Sequence, residues 1–265
     1  LPESWTSGKG VTTMEKNTLR FVRHYIKEAT QTLFNTTCPI LYKEAHPDAT
    51  GIECTLIPCT FEAYKLLENE FKQIFETYLH LGYTDLEHGA GVHTYLDYRL
   101  FGENKTNQHI NIKKFLWFLF HNGYHMSKLS QRLFGDTVAS DIYFMLGDHA
   151  LIMTEEEIKT TFIGIKDSIL ESFISGRPID SLNLVFNKVA KTDSELNIQA
   201  IEYRWWAATS NYLVFLAYIE FCFAIVEYLP TLTEENEFRF SDFSSFVNQS
   251  GKYLNLTNLI LKLSL

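Results

Sequence analysis

The chain has 265 residues, of which 46% are hydrophobic and 15% aromatic, with only six prolines and no low-complexity tract. This composition excludes a disordered chain, and the length is sufficient for a sizeable core. The formal net charge of −9 repels phosphate backbones, and no long basic run offsets it, so we expect no nucleic-acid partner.

The N-terminal third predicts a helix, a strand and a second helix. Residues 14–34 carry apolar side chains at helical spacing, which predicts an amphipathic helix in an N-terminal extension over residues 1–36. Proline and glycine then interrupt the chain, and GIECTLI at residues 51–57 is typical of a short strand. Thr60 is the predicted N-cap of a helix over residues 61–81 that ends at Gly82.

The remainder of the chain predicts further strands and helices without an internal repeat or a linker. The strands are expected in residues 92–100, 181–190 and 197–206, and the helices at 107–134, interrupted at Gly123, 154–175 and 211–229, followed by two short helices with Ser241 and Asn255 as caps. We therefore predict a single α+β domain over residues 1–265, with a mainly antiparallel sheet and helices packed against it.

The apolar run at residues 211–229 is long enough to cross a membrane. Glu220 lies near its middle, where a charge would cost about 3 kcal/mol in hydrocarbon. We therefore expect a buried helix of a soluble domain and no membrane partner. The four cysteines form no CxxC pair, which is typical of free thiols in a reducing compartment.

Three β-prone segments place polar residues among apolar neighbours. Glu53 lies in the first, and His93, Tyr95 and Asp97 share one face of the second because they are two residues apart. Glu202 and Arg204, again two apart, share one face of the third. If the segments are neighbours in one sheet, these carboxylates and the histidine can hold Mg²⁺ or Mn²⁺. The arginine can offset charge on a transferred phosphoryl group.

A structural interpretation of each residue stays open. Glu53 alone is also typical of a solvent-facing strand residue, and His93 of a hydrogen-bonded structural histidine. Glu202 and Arg204 can also form an ion pair on a sheet surface.

Four stretches in chain order resemble the amidoligase family of phages and bacteria, relatives of glutamine synthetase among the carboxylate–amine ligases. They are GIECTLIPCTFEAYKLL, HGAGVHTYLDYRLFGE, KKFLWFLFHNGYHMSKLSQR and IQAIEYRWWAATSNYLVFLAYIEFCFAIVEYL, and the resemblance spans about residues 40–262. It implies a glutamine-synthetase-like fold, in which a curved, mainly antiparallel sheet carries the site.

The resemblance also implies an ATP- and Mg²⁺-dependent reaction that joins a small-molecule or peptide carboxylate to an amine through an acyl phosphate. Glu53, His93 and Glu202 would be metal ligands, and Arg132 and Arg204 would bind the nucleotide phosphates. Glu202 and Arg204 would be the catalytic residues. The expected location is the cytoplasm of a bacterium or of a phage-infected cell.

Two departures from the family pattern support an alternative. Tyr95 stands where the family has the second histidine of its H-x-H motif, and residues 1–36 lack the family's G-x-E-x-E strand. The alternative is a catalytically inactive amidoligase-like fold that serves as a structural or interaction protein with a protein partner, for example in a virion. A third interpretation, a soluble helical binding protein without ligase ancestry, fits the aromatic-rich helices.

Overall fold

A computed structural model of the chain describes residues 13–47, 52–80, 91–131, 188–189, 200–209, 211–232 and 239–265. Helices are combined with a two-stranded and a three-stranded antiparallel sheet, which confirms the predicted α+β class. The chain divides into two compact units, Leu1–Ala90 and Gly91–Leu265. The single domain of the sequence analysis stays a prediction.

The first unit contains three helices and one β-hairpin. Its elements are α1 (Thr13–Thr37), β1 (Tyr42–Pro47), β2 (Ile52–Leu56), α2 (Phe61–Leu66) and α3 (Glu68–His80). Helix α1 packs against β1 and α3, and the buried rings of Phe34 and Tyr42 stack with centroids 5.0 Å apart. The predicted helix at residues 14–34 and the predicted strand in residues 51–57 are thus confirmed.

Strand β1 is absent from the sequence-based prediction, which has only one strand in this region. Tyr42 and Ala45 of β1 are buried. Gln31 Oε1 of α1 accepts hydrogen bonds from the Tyr42 hydroxyl at 2.9 Å and from the Ala45 N–H at 3.0 Å. Helix α1 therefore covers the free edge of β1, which protects an otherwise unpaired strand edge.

The predicted helix over residues 61–81 is divided into α2 and α3 at Leu67. Its start is confirmed, because the Thr60 side chain accepts a hydrogen bond from the Ala63 N–H at 3.2 Å. The predicted end at Gly82 lies outside the described residues.

The second unit builds helices on the three-stranded sheet, whose strand order is β3-β5-β4. Its elements are β3 (Gly91–Asp97), a 3-10 turn (Tyr98–Phe101), α4 (Lys105–His121), α5 (Gly123–Ser130), β4 (Lys188–Val189), β5 (Ala200–Ala207), α6 (Tyr212–Tyr228), a 3-10 turn (Leu229–Thr231), α7 (Phe240–Ser250) and α8 (Leu254–Lys262). The predicted helical run over 107–134 is interrupted beside Gly123, at Asn122, as expected. The predicted helix at 154–175 lies outside the described residues.

Aromatic side chains form the core of the second unit. Trp206 of β5 stacks on Tyr218 of α6 with ring centroids 4.4 Å apart, and its edge meets Phe221 at 5.1 Å. Phe243 of α7 meets Phe221 at 5.5 Å. All four side chains have 0% exposure, so this cluster joins β5, α6 and α7 into one core.

Helix α6 is the only described helix that is long and apolar enough to cross a membrane. The span that meets this test is Tyr212–Thr231, and 61% of its apolar window is buried inside the fold. Length and composition alone are weak evidence for a membrane span, because the core helix of a soluble protein has the same properties.

Glu220, the acidic residue within α6, is fully buried. Its Oε1 accepts a hydrogen bond from Asn255 Nδ2 at 2.8 Å, and its Oε2 accepts one from the Leu256 N–H at 2.9 Å. The carboxylate thus satisfies a backbone donor in the first turn of α8, where the helix dipole favours negative charge.

The predicted caps of the two C-terminal helices are wrong. The N-caps are Arg239 for α7 and Tyr253 for α8, and neither makes a side-chain capping bond. Ser241 lies inside α7, and Asn255 lies inside α8, where it donates to Glu220. For α8, the physical reason is that the buried carboxylate of Glu220 from another helix takes the place of a local cap.

Candidate functional site

The pairing of β3 with β5 brings three of the predicted site residues onto neighbouring strands. Tyr95 is directly opposite Glu202 in the antiparallel register, and Thr94 is opposite Tyr203. The β3 segment is thus a direct neighbour of the segment that contains Glu202 and Arg204. Two of the three β-prone segments are thus neighbours in one sheet, as the predicted convergence requires.

Strand β5 has a β-bulge opposite His93 of β3. Val92 is paired with Trp206 and Thr94 with Tyr203, so β5 advances three residues while β3 advances two. His93 is therefore opposed by both Arg204 and Trp205. A β-bulge alters the direction of the chain and of nearby side chains, and bulges are over-represented beside active sites.

The two faces of β3 have different surroundings. Leu96 is buried, and Thr94 Oγ1 accepts hydrogen bonds from Trp206 Nε1 and from Cys222 Sγ, each at 3.2 Å. This face therefore packs towards α6. Because side chains alternate along a strand, His93 and Tyr95 lie on the other face, where Tyr95 is 40% exposed.

Cys222 of α6, which donates a hydrogen bond to Thr94 on the inner face of β3, is not suited to nucleophilic chemistry. Burial raises the pKa of the Cys222 thiol to about 12, although its hydrogen bonds with Thr94 and Trp206 act in the opposite direction. A nucleophilic cysteine needs a lowered pKa, so Cys222 is a structural thiol.

Asp97, the third polar residue on the outer face of β3, is bound by Arg99. Arg99 Nη2 donates to Asp97 Oδ2 at 2.6 Å, and its Nε donates to Oδ1 at 3.0 Å. Burial acts to raise the pKa of Asp97, but the hydrogen bonds from Arg99 outweigh it and lower that pKa. With both oxygens engaged, Asp97 closes the turn after β3 and is not an open metal ligand.

Glu53 lies in the first unit rather than on the β3–β5 pair. It is part of β2, directly opposite His46 of β1. Arg132 lies outside the described residues. The structure therefore places His93, Glu202 and Arg204 on one strand pair and Glu53 on a different sheet.

Glu44 and His46 are potential functional residues that the sequence analysis missed. Glu44 Oε1 lies 3.1 Å from His46 Nε2, and both side chains are partly open to solvent. The sequence does contain a signal for them: Glu44 and His46 are two residues apart just before Pro47, and in a strand this spacing places both side chains on one face. Without β1 among the predicted strands, that spacing had no structural meaning.

The carboxylate at the β3–β5 pair is a donor type that Mg²⁺ accepts, whereas the imidazole suits Mn²⁺ better. Positions 93 and 202 supply an imidazole and a carboxylate on adjacent strands, and Mg²⁺ is commonly held by one or two carboxylates together with waters and substrate phosphates. Among the side chains that the structure describes, no group of three or more His, Cys, Asp or Glu is arranged to hold a metal. The side chains of Glu53, Glu202 and Arg204 lie outside that description.

No family model, no curated protein and no solved structure matches the chain.

Proposed function

We propose that the chain is an ATP- and Mg²⁺-dependent carboxylate–amine ligase that forms an amide through an acyl phosphate. The observation that supports this function is the register of β3 and β5, with Tyr95 opposite Glu202 and His93 opposed by Arg204 and Trp205. The four motif stretches support it as well. A glutamine-synthetase-like curved sheet is part of the same proposal.

The proposed reaction has two chemical steps. A substrate carboxylate oxygen attacks the γ-phosphorus of ATP, ADP departs, and an acyl phosphate forms. The amine nitrogen then attacks the acyl carbon, phosphate departs, and the nitrogen loses a proton. Bound Mg²⁺ offsets the repulsion between the phosphates and the attacking carboxylate.

The residues of this chain orient the reactants. His93 and Glu202 would hold the metal, and Arg204 would bind the transferred phosphoryl group through its planar guanidinium. Arg132 would be a second phosphate contact.

Calorimetric titration of ATP, with and without Mg²⁺, tests the proposal. We expect Mg²⁺-dependent binding to the wild type, and at least tenfold weaker binding to Glu202→Ala and to Arg204→Ala with unchanged circular dichroism. Arg239→Ala is the matched control, because Arg239 is exposed at the start of α7 and should leave ATP binding unaltered. Unfolding of Arg204→Ala would instead indicate a structural ion pair.

The alternative is an amidoligase-like fold without catalysis that serves as a structural or interaction protein. The observation that favours it is Tyr95, because an exposed phenol replaces an imidazole directly opposite Glu202. A protonated phenol is a poor ligand for Mg²⁺, which selects carboxylate, carbonyl and water oxygens. Absence of ATP binding at millimolar concentration, with or without Mg²⁺, would support this alternative over the ligase.

A further inference from the structure

The β1–β2 hairpin carries a polar face that its packing does not require. Tyr42 and Ala45 are buried, whereas Glu44 and His46 project from the other side with 39% and 43% of their side chains exposed. A β-bulge between Tyr42 and Glu44 shifts the alternation of side chains by one position, so that Tyr42 and Ala45 share the buried face. Glu44 and His46 are therefore accessible to an ion and its waters, and neither is part of the core.

The separation of the two donor atoms matches a pair of neighbouring metal ligands. Glu44 Oε1 and His46 Nε2 lie 3.1 Å apart. Two ligands bonded at about 2.1 Å to one ion are separated by roughly 3.0 Å at an octahedral angle and roughly 3.4 Å at a tetrahedral angle. An ion can thus be accepted between these atoms with little movement of either side chain.

A third donor residue occupies the adjacent strand position. Glu53 is directly opposite His46, and residues directly opposite in an antiparallel pair share a face. The Ala45 N–H bonds to Gln31 instead of β2, so the Ala45–Cys54 pair is a non-hydrogen-bonded pair. The next pair, His46 with Glu53, is then a hydrogen-bonded pair with Cα atoms about 5.5 Å apart.

We propose that Glu44, His46 and Glu53 form a binding site for a divalent transition-metal ion. One imidazole and two carboxylates suit Mn²⁺, Co²⁺ or Zn²⁺, whereas Mg²⁺ prefers oxygen ligands alone. The site needs neither ATP nor the β3–β5 pair of the proposed ligase function. Glu44 and His46 therefore distinguish this metal site from the proposed nucleotide site.

Titration with Co²⁺ in the absence of nucleotide tests the site, by calorimetry and by visible absorption. We expect one Co²⁺ per chain with an absorption change from imidazole ligation. His46→Ala, Glu44→Gln and Glu53→Gln should each weaken binding at least tenfold. His80→Ala is the matched control, since His80 is an exposed histidine at the end of α3, and it should bind Co²⁺ as the wild type does.

Two results would overturn the site: no Co²⁺ binding to the wild type at millimolar concentration, or equal affinity in His46→Ala and wild type. Glu44 and His46 would then form a surface ion pair only. Circular dichroism of each variant verifies folding, which should persist because the mutated side chains of β1 lie outside the core.

Titration of His46→Ala with Mg²⁺ and ATP keeps the two proposals apart. Loss of Co²⁺ binding with retained ATP binding separates the metal site from the ligase site.

Discussion

Glu220 and Glu44 are two carboxylates with opposite surroundings. Glu220 is fully buried in α6, and its two oxygens accept hydrogen bonds from Asn255 and Leu256 of α8. Glu44 stands on an exposed face of the β1–β2 hairpin, and the described contact of its carboxylate is with His46. The first carboxylate holds two helices together, whereas the second is open to an ion from solvent.

The comparison shows why an acidic residue in an unusual position does not by itself indicate a functional site. Glu220 is the more unusual of the two in the sequence, because it interrupts a long apolar run. Its oxygens are nevertheless already engaged by donors of the fold. Glu44 is ordinary in the sequence, yet its oxygen lies at ligand spacing from an accessible imidazole.

The largest expected effect comes from removing the buried carboxylate. Glu220→Ala leaves the Leu256 N–H and the Asn255 amide without their acceptor and opens a cavity, so we expect the free energy of unfolding to fall by about 2–4 kcal/mol. Urea denaturation followed by circular dichroism measures the change.

A residue on the same helix provides the control for Glu220. Glu227 is 42% exposed and pairs with Lys252 at 2.9 Å, so Glu227→Ala should cost no more than about 1 kcal/mol. Glu220→Gln keeps one acceptor oxygen and should lie between the two. Equal losses for Glu220→Ala and Glu227→Ala would show that the buried contact with α8 does not stabilise the fold.

The next expected effect depends on pH and concerns Cys222, another polar group that the core of the second unit engages. Burial raises the pKa of the folded thiol from 9.0 to about 12, so the folded state keeps its proton where the unfolded state has lost it. The contribution to stability is therefore fully present below pH 9 and is lost as pH rises towards 12. In that window the free energy of unfolding should fall by up to about 1.4 kcal/mol per pH unit.

Cys222→Ser tests this pH dependence, because a serine does not titrate and keeps a hydroxyl donor near Thr94. Stability curves of both proteins between pH 8 and pH 11 should diverge above pH 9, with the wild type losing more. Parallel curves would mean that the thiol is solvated in the folded state. Tyr228 and Tyr253 titrate in both proteins and cancel in the difference, whereas Tyr203 does not, because burial and the charge of Cys222 together raise its pKa.

The elements with local signals could be predicted from the sequence, and those that depend on distant partners could not. The strand in residues 51–57 and the Thr60 cap follow from neighbouring residues alone, and both are confirmed. Asn255 also resembles a local cap. Its real partner is Glu220, which lies 35 residues away along the chain, and no local pattern indicates that contact.

The candidate site divides in the same way. Period-two spacing places His93 and Tyr95 on one face of a strand, and this prediction follows from the geometry of a strand alone. The bulge that sets His93 against both Arg204 and Trp205 requires knowledge of the pairing partner and its register. Strand β1 was missed for a related reason: its bulge shifts the alternation of buried and exposed residues by one position.

The smallest expected effect on stability belongs to the exposed carboxylate. Glu44→Gln removes one charge from a partly exposed pair with His46, and such pairs contribute about 0–1 kcal/mol. In metal-free buffer we therefore expect a change in the free energy of unfolding below about 0.5 kcal/mol, measured by urea denaturation. Added Co²⁺ should stabilise the wild type more than Glu44→Gln, because a ligand that binds only the folded state stabilises it by mass action. A loss of 2 kcal/mol or more in metal-free buffer would make the Glu44–His46 pair structural, and its surroundings would then resemble those of Glu220.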